Sequence, residues 1–188
     1  MYNYFQNIAN NNCNYLVIIA FFLLLFIPNH AISQESDEST LVIAYLERFT
    51  RFIENQSNAQ FDDKAKGFNL YYYGNNTFGN RFEEIFATQK IKNRKVNIRF
   101  VDKIEELKDA HMVFIAKSAE RDLDKIVEYA NKNGILTTSY SNGFAKRGVH
   151  INLYMQDLKL KFEINHISAK KGGFNISHLL LSKARIIE

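Results

Sequence analysis

Apolar and polar positions along this chain recur in two registers, and the switches between them mark its elements. From Thr40, the residues Val42, Leu46, Phe49 and Ile53 repeat at helical spacing, widened by Leu41, Tyr45 and Phe52. Glu47, Arg48, Arg51 and Glu54 take the other face, so the stripe predicts an amphipathic helix. Residues 55–67 are polar and loop-like, and Phe68 to Tyr73 is a compact run of β-formers that reads as a buried strand. Gly74 to Gly79 turns the chain, and Phe82, Ile85 and Phe86 begin a second helix. Val96, Ile98 and Phe100 alternate as a second strand, after which Asp102 caps a short helix with Glu105 as its reciprocal partner. Met112 to Ala116 is a third strand and Ser118 opens the next helix. Leu123, Ile126, Val127 and Ala130 mark one face of that helix, and Gly134 stops it. Ile135 to Thr138 is a fourth strand.

The C-terminal third changes register. After the Gly143–Gly148 loop, Val149, Ile151, Leu153 and Met155 face one way, with His150, Asn152 and Tyr154 between them. Leu158, Leu160, Phe162 and Ile164 repeat the pattern, with Lys159, Lys161 and Glu163 on the face assigned to solvent. Two alternating runs across a short polar connection predict a β-hairpin. Asn165 ends it, a helical turn covers Ile167 to Lys171, and Ser177 stands ready to cap Leu179-Leu180-Leu181. Strands alternating with helices imply parallel pairing. The expected class is therefore α/β, a layered α/β/α domain with a mostly parallel sheet and a C-terminal antiparallel hairpin.

The ends and the composition narrow the function. Leu16 to Ile27 is an unbroken apolar run stopped by Pro28, too short for a comfortable membrane span and suited to the core of an export signal. Ala31 and Ser33 occupy the small-residue positions before a cleavage point. The expected organisation is thus a signal peptide over 1–33, a short polar linker over 34–40 and one domain over 41–188, located in the periplasm. No Lys or Arg occurs in the first 14 residues, so an uncleaved anchor is the competing reading. Cys13 is the single cysteine and precedes the apolar run; without it, disulfides, thiol catalysis and cysteine-based zinc sites are excluded from the mature part. The net charge of +4 is interleaved with acids. One basic cluster stands out, Lys90, Lys92, Arg94, Lys95 and Arg99. It reads either as a wet loop entering a strand or as a contact for an acidic partner or phospholipid head groups. Nucleic acid is not an expected partner, because no binding motif accompanies the charge.

Four pieces of the C-terminal third occur together in one order: Gly143-Phe144-Ala145, Arg147-Gly148-Val149-His150-Ile151-Asn152, Leu160-Lys161-Phe162-Glu163-Ile164-Asn165, and Ile176-Ser177 running to Leu180-Leu181. In these the chain resembles the YfiR-like family of small bacterial periplasmic proteins. The helix around Phe49, the Phe78-Gly79 turn, and Phe114-Ile115 before Lys117-Ser118 extend the resemblance over roughly Leu41 to Ile187. It implies regulatory binding to an inner-membrane signalling protein, a diguanylate cyclase held inactive, and self-association as a homodimer. A sensor kinase is an equally physical partner, and the sequence does not choose between the two. Two departures matter. The tryptophan common at the end of the first helix is absent, and so are the cysteine pairs of many relatives, so redox control by such pairs does not carry over.

No catalytic chemistry is written locally, and no enzyme is expected. Gly74 to Gly79 has the glycine spacing of a phosphate loop, but Asn80 and Arg81 follow where Lys and Ser or Thr are needed. His111, His150, His166 and His178 do not pair at helical spacing for a metal, with His111 expected at a strand edge and His150 facing outward. Neither a metal nor a cofactor is implied, and no small ligand is named. Asn152 and Asn165 are expected to satisfy buried backbone groups. In open α/β sheets ligands collect at the carboxyl ends of the strands. The loops there bring forward Phe78, Tyr140, Phe144, Lys146 and Arg147 as partner-binding candidates, against the alternative that Phe78 and Phe144 are inward plugs. The expected function is a periplasmic regulatory binding protein that modulates a membrane signalling protein. The alternatives are a small-solute binding protein or a structural exported module.

Overall fold

A computed structural model describes residues 30–188 apart from Ser57 and Lys64. The apolar run expected as an export signal lies outside these residues, and the expected linker lies within the first helix, α1 (His30–Thr50). Among the described residues no helix is long and apolar enough to cross a membrane.

Among the described residues eight strands form one sheet and two form another. In chain order they are β1 (Ile53–Asn55), β2 (Phe68–Tyr73), β3 (Lys90–Ile91), β4 (Arg94–Val101), β5 (Met112–Ile115), β6 (Leu136–Ser139), β7 (Ile151–Gln156), β8 (Lys159–Asn165), β9 (Phe174–Ile176) and β10 (Arg185–Ile187). The large sheet runs β10-β8-β7-β6-β5-β2-β4-β3. Its centre, from β7 through β6, β5 and β2 to β4, is parallel throughout. The β7–β8 hairpin and the β3–β4 hairpin add antiparallel pairs, and β10 returns parallel to β8. The small sheet pairs β1 with β9. The α/β class with a mostly parallel sheet and a C-terminal hairpin is therefore what the chain forms.

Helices cover both faces. α1, with α2 (Arg81–Phe86), α4 (His166–Lys171) and α5 (His178–Leu181), shares one core with Phe68, Leu70, Tyr72, Met112 and Phe114. α3 (Leu123–Asn133) packs on the other face with Tyr71, Tyr73, Val113 and Ile115. Successive residues of a strand point to opposite faces, so β5 and residues 70–73 of β2 are apolar on both, which is why that run carries no alternation; Asn69, near the start of β2, is the polar exception.

Several boundaries differ from the pattern. α1 ends at Thr50, and Ile53, expected as its last stripe residue, lies in β1 opposite Ile176. The stripe continues because the strand enters the same core. Ser118 falls in a short 3₁₀ turn and α3 begins at Leu123. After β4 it is Glu106, not Glu105, whose carboxylate accepts the backbone N–H groups of Asp102 and Lys103, at 3.4 and 3.3 Å. Gly134 does cap α3 in the left-handed conformation. Leu158 is no part of an apolar face: with Asp157 it forms the hairpin turn, both residues at positive φ, and it is 85% exposed.

Candidate functional site

Because β2, β4, β5 and β6 run parallel, the loops that follow them open on one edge of the sheet. The loop after β2 is braced by Asn76. Its amide donates to the Gly79 carbonyl at 2.7 Å and its oxygen accepts the Phe78 N–H at 2.9 Å. The loop is tied to the one after β5 by the Asn75 N–H, which donates to Ser118 Oγ at 2.8 Å. Phe78 is half-buried, its ring against Tyr72, Phe82 and Phe114. Tyr140 is also half-buried, on the same side of the sheet as α1, and its hydroxyl donates to Glu38 Oε1 at 2.5 Å. Burial, with the Glu38 carboxylate beside it, raises the phenol's pKa above the ordinary value, so the hydroxyl stays a donor.

The other three candidates lie in the loop after β6, whose Phe144 and Arg147 meet the α3 side. Phe144 is 1% exposed and belongs to the second core, with Lys117 Nζ 5.5 Å above its ring. It is an inward plug, as the alternative reading had it. Arg147 donates from Nε to Asp124 Oδ1 at 3.1 Å and from Nη2 to the Glu120 carbonyl at 3.3 Å. Lys146 is exposed beside it. The structure thus brings the five residues to one edge but divides them between its two sides.

Between the β6 loop and the hairpin lies a cleft of about 410 Å³ lined by Lys117, Tyr140, Ser141, Asn142, Leu153, Tyr154 and Met155. Its wall is held from behind. The Ser141 N–H donates to Asn152 Oδ1 at 3.1 Å, Asn152 Nδ2 donates to Glu163 Oε1 at 3.2 Å, and the Arg185 guanidinium pairs with Glu163 while stacking 4.7 Å over Tyr154. Glu163 is only 3% exposed. The expectation that it faces water fails because β10 lies alongside β8 and covers it.

His150 is corrected for a related reason. It is fully buried: its Nδ1 accepts the Thr137 N–H at 3.1 Å, so Nε2 carries the proton and faces Asn131 Oδ1 at 2.7 Å. Asn131 donates to Ser168 Oγ, which donates to the Gly148 carbonyl at 2.6 Å. Burial pushes the imidazole pKa down to about 3. Gly148 stands at φ 97°, where a Cβ would sit 2.9 Å from Val127, so the turn into this network needs glycine. Asn152 and Asn165 do satisfy buried groups; Asn165 donates to the Ala145 carbonyl at 2.8 Å and accepts the Ser168 N–H at 2.8 Å. The pieces that carry the family resemblance are thus residues that build the hairpin's supports.

The basic cluster is likewise partly structural. Arg94 is buried, donating to the carbonyls of Gln60, Phe61, Lys66 and Gly67. His111 packs 3.1 Å from it, accepts the Asn69 N–H at Nδ1, and is pushed down to about 4 by burial and by the Arg94 charge. Lys92 pairs with Asp62 and donates to the Ile53 carbonyl. Lys90, Lys95 and Arg99 remain exposed. Among the described residues no group of His, Cys, Asp and Glu is placed to hold a metal. The cleft wall residues Lys117 and Tyr154 and the Glu38 partner of Tyr140 were not among the sequence candidates, since the cleft and the Glu38 contact join separate segments of the chain.

A family model described as YfiR/HmsC-like matches residues 39–185. A search of curated proteins finds no match. Among solved structures, a conserved domain protein from Vibrio cholerae superposes with a TM-score of 0.54 at 10% identity, over 80% of this chain and 60% of that one. The ligand-free, open structure of a substrate-binding protein with adhesive properties from Clostridium difficile gives 0.52 at 10% identity, over 69% of this chain and 57% of that one. The chain spans less than two thirds of either relative's length, and at this identity the likeness is one of fold.

Proposed function

Because this chain belongs to the YfiR/HmsC-like family, we propose that it is a periplasmic regulatory binding protein rather than an enzyme. It docks on an inner-membrane signalling protein, of diguanylate cyclase or sensor kinase type, and biases the equilibrium between that protein's states. The observation that carries this reading is the extent of the family match, residues 39–185, which takes in the later part of α1, β1 to β9 and the whole carboxyl edge. Lys146 and Arg147 on one side of that edge, and Phe78 and Tyr140 on the other, are the proposed contacts. Phe144 acts beneath them by holding the loop.

The test is crosslinking of the tagged full-length chain in its own cells, followed by identification of the attached membrane proteins. A partner with an exported sensory segment and a cytoplasmic signalling domain is expected, and the paired change Lys146→Glu and Arg147→Glu is expected to weaken its capture about ten-fold. Self-crosslinks alone, from intact protein, would overturn the reading.

Solute binding is a second reading, favoured by the 410 Å³ cleft with its hydroxyls, amide and tyrosine ring. It requires a ligand that raises the melting temperature of the purified domain by itself.

A further inference from the structure

The sheet ends differently on its two sides. At one side lies β10, three residues long, with Arg185 committed to Glu163. At the other lies β4, eight residues long, which β3 covers only at Arg94 and Lys95. From Asn97 to Val101 no strand among the described residues pairs with its outer side. Ile91 and Arg94 flank a two-residue turn, Lys92 and Asn93, both at positive φ, so they exchange backbone hydrogen bonds and Arg94 points its amide and carbonyl outward toward β3. By alternation Ile98 and Phe100 do the same beyond the end of β3. The opposite parity checks this, since the Val101 carbonyl points inward and accepts the Gly74 N–H at 3.0 Å.

An uncovered edge of this length is a template for another strand, and proteins guard such edges with charge, proline or brevity. Here the charges, Lys95 and Arg99, project to one face. The other face presents Ile98, half-buried, and Phe100, 41% exposed, whose ring leans on Tyr72 at 5.7 Å.

We propose that the β4 edge accepts an extended segment of a partner protein as an added strand, apolar toward Ile98 and Phe100 and acidic toward Lys95 and Arg99. Backbone pairing supplies affinity in this mode, and the alternating side chains supply selection. The charge pattern selects an acidic occupant, because exposed Lys95 has no ion-pair partner among the described residues, and exposed Arg99, though it stacks on Tyr71 and donates to its hydroxyl at 3.3 Å, reaches a carboxylate, Glu106, only at 4.0 Å. The inference rests on the docking reading in one respect, that the segment belongs to the regulated partner.

The probe is an acetylated eight-residue peptide alternating Val and Glu, added to the purified domain while amide hydrogen exchange is followed. At saturation the amides of Ile98 and Phe100 are expected to exchange at least about ten-fold more slowly. An alternating Val and Lys peptide, and the Val and Glu peptide against Lys95→Glu or Phe100→Ala, are expected to bind about ten-fold more weakly. Lys95→Glu is a surface change that leaves the fold intact, so its failure to bind cannot be unfolding. Unprotected amides at Ile98 and Phe100 overturn the proposal, as does equal binding of the acidic and basic peptides. Protection that rises with protein concentration, without peptide, also overturns it and makes a second copy the occupant. If a membrane partner is captured but these amides exchange freely in the complex, the edge fails and the docking reading stands. If the peptide protects them but no partner is captured, the reverse holds.

Discussion

The β7–β8 hairpin and the β4 strand look alike in sequence, and the fold treats them oppositely. Both alternate apolar and polar residues, which assigns the apolar set to the core and the polar set to water. At the base of the hairpin the polar set is buried: His150, Asn152 and Glu163 all lie inside, each hydrogen-bonded, while Lys159 near the tip stays exposed. In β4 part of the apolar set is open, Phe100 most of all. Alternation divides a strand into two sides. Which sides are covered depends on neighbours: the hairpin has α3, α4 and β10 around it, whereas β4 has β3 along only its first two residues.

The comparison breaks most easily at the hairpin's support. Asn165→Ala strands the Ala145 carbonyl and the Ser168 N–H in a buried place, and should cost about 3 kcal/mol. Phe100→Ala, at the open strand, should cost under about 1 kcal/mol because the ring is already half in water. Urea unfolding of both variants with unchanged slopes measures the contrast directly. Equal costs would mean that the two strands are supported alike.

This contrast also marks what could be read from the chain. The α/β class, the strand at Phe68–Tyr73, the Gly134 stop, the hairpin and the Ser177 cap, which accepts the Leu179 N–H at 3.2 Å, all follow from local pattern and appear in the fold. Asn152 and Asn165 were legible too, as amides placed where strands end. The burial of Glu163 was not, because its cover, β10, lies about twenty residues downstream and its ion pair is a contact of tertiary structure. Arg94 read as part of a basic surface cluster for the same reason: its four carbonyl partners come from the loop between β1 and β2. Among the candidate residues the chain showed which loops share an edge, but not that the sheet passes between Phe78 and Arg147.

A second test sharpens the comparison through pH. The native imidazole of His150 takes up a second proton only below about pH 3, while in the unfolded chain it does so below about 6.5. Between those values the unfolded state binds the extra proton, so stability rises with pH and is lost on acidification from 6.5 downward. The loss should reach up to about 2 kcal/mol by pH 5. His111, held down to about 4, contributes in the same direction. Melting temperatures from pH 7 to 5 should fall steeply for the native sequence and less steeply for His150→Gln. A slope unchanged by that substitution would show that the hairpin's buried histidine is not what couples this fold to protons.

The one effect of opposite sign lies at the tip joining β7 to β8. Two-residue turns with both central residues at positive φ favour Asn and Gly, because a Cβ there crowds the following carbonyl. This turn has Asp157 and Leu158 instead, at φ 51° and 57°, with the leucine side chain almost wholly in solvent. The leucine therefore contributes strain without burial, while the register it closes is held by the polar supports at the other end of the hairpin. Leu158→Gly should raise stability by about 1 kcal/mol, read as a higher urea midpoint at constant slope. A destabilised variant would instead mean that the apolar tip has a partner surface within the folded molecule, and the hairpin's order would then depend on its turn as much as on its base.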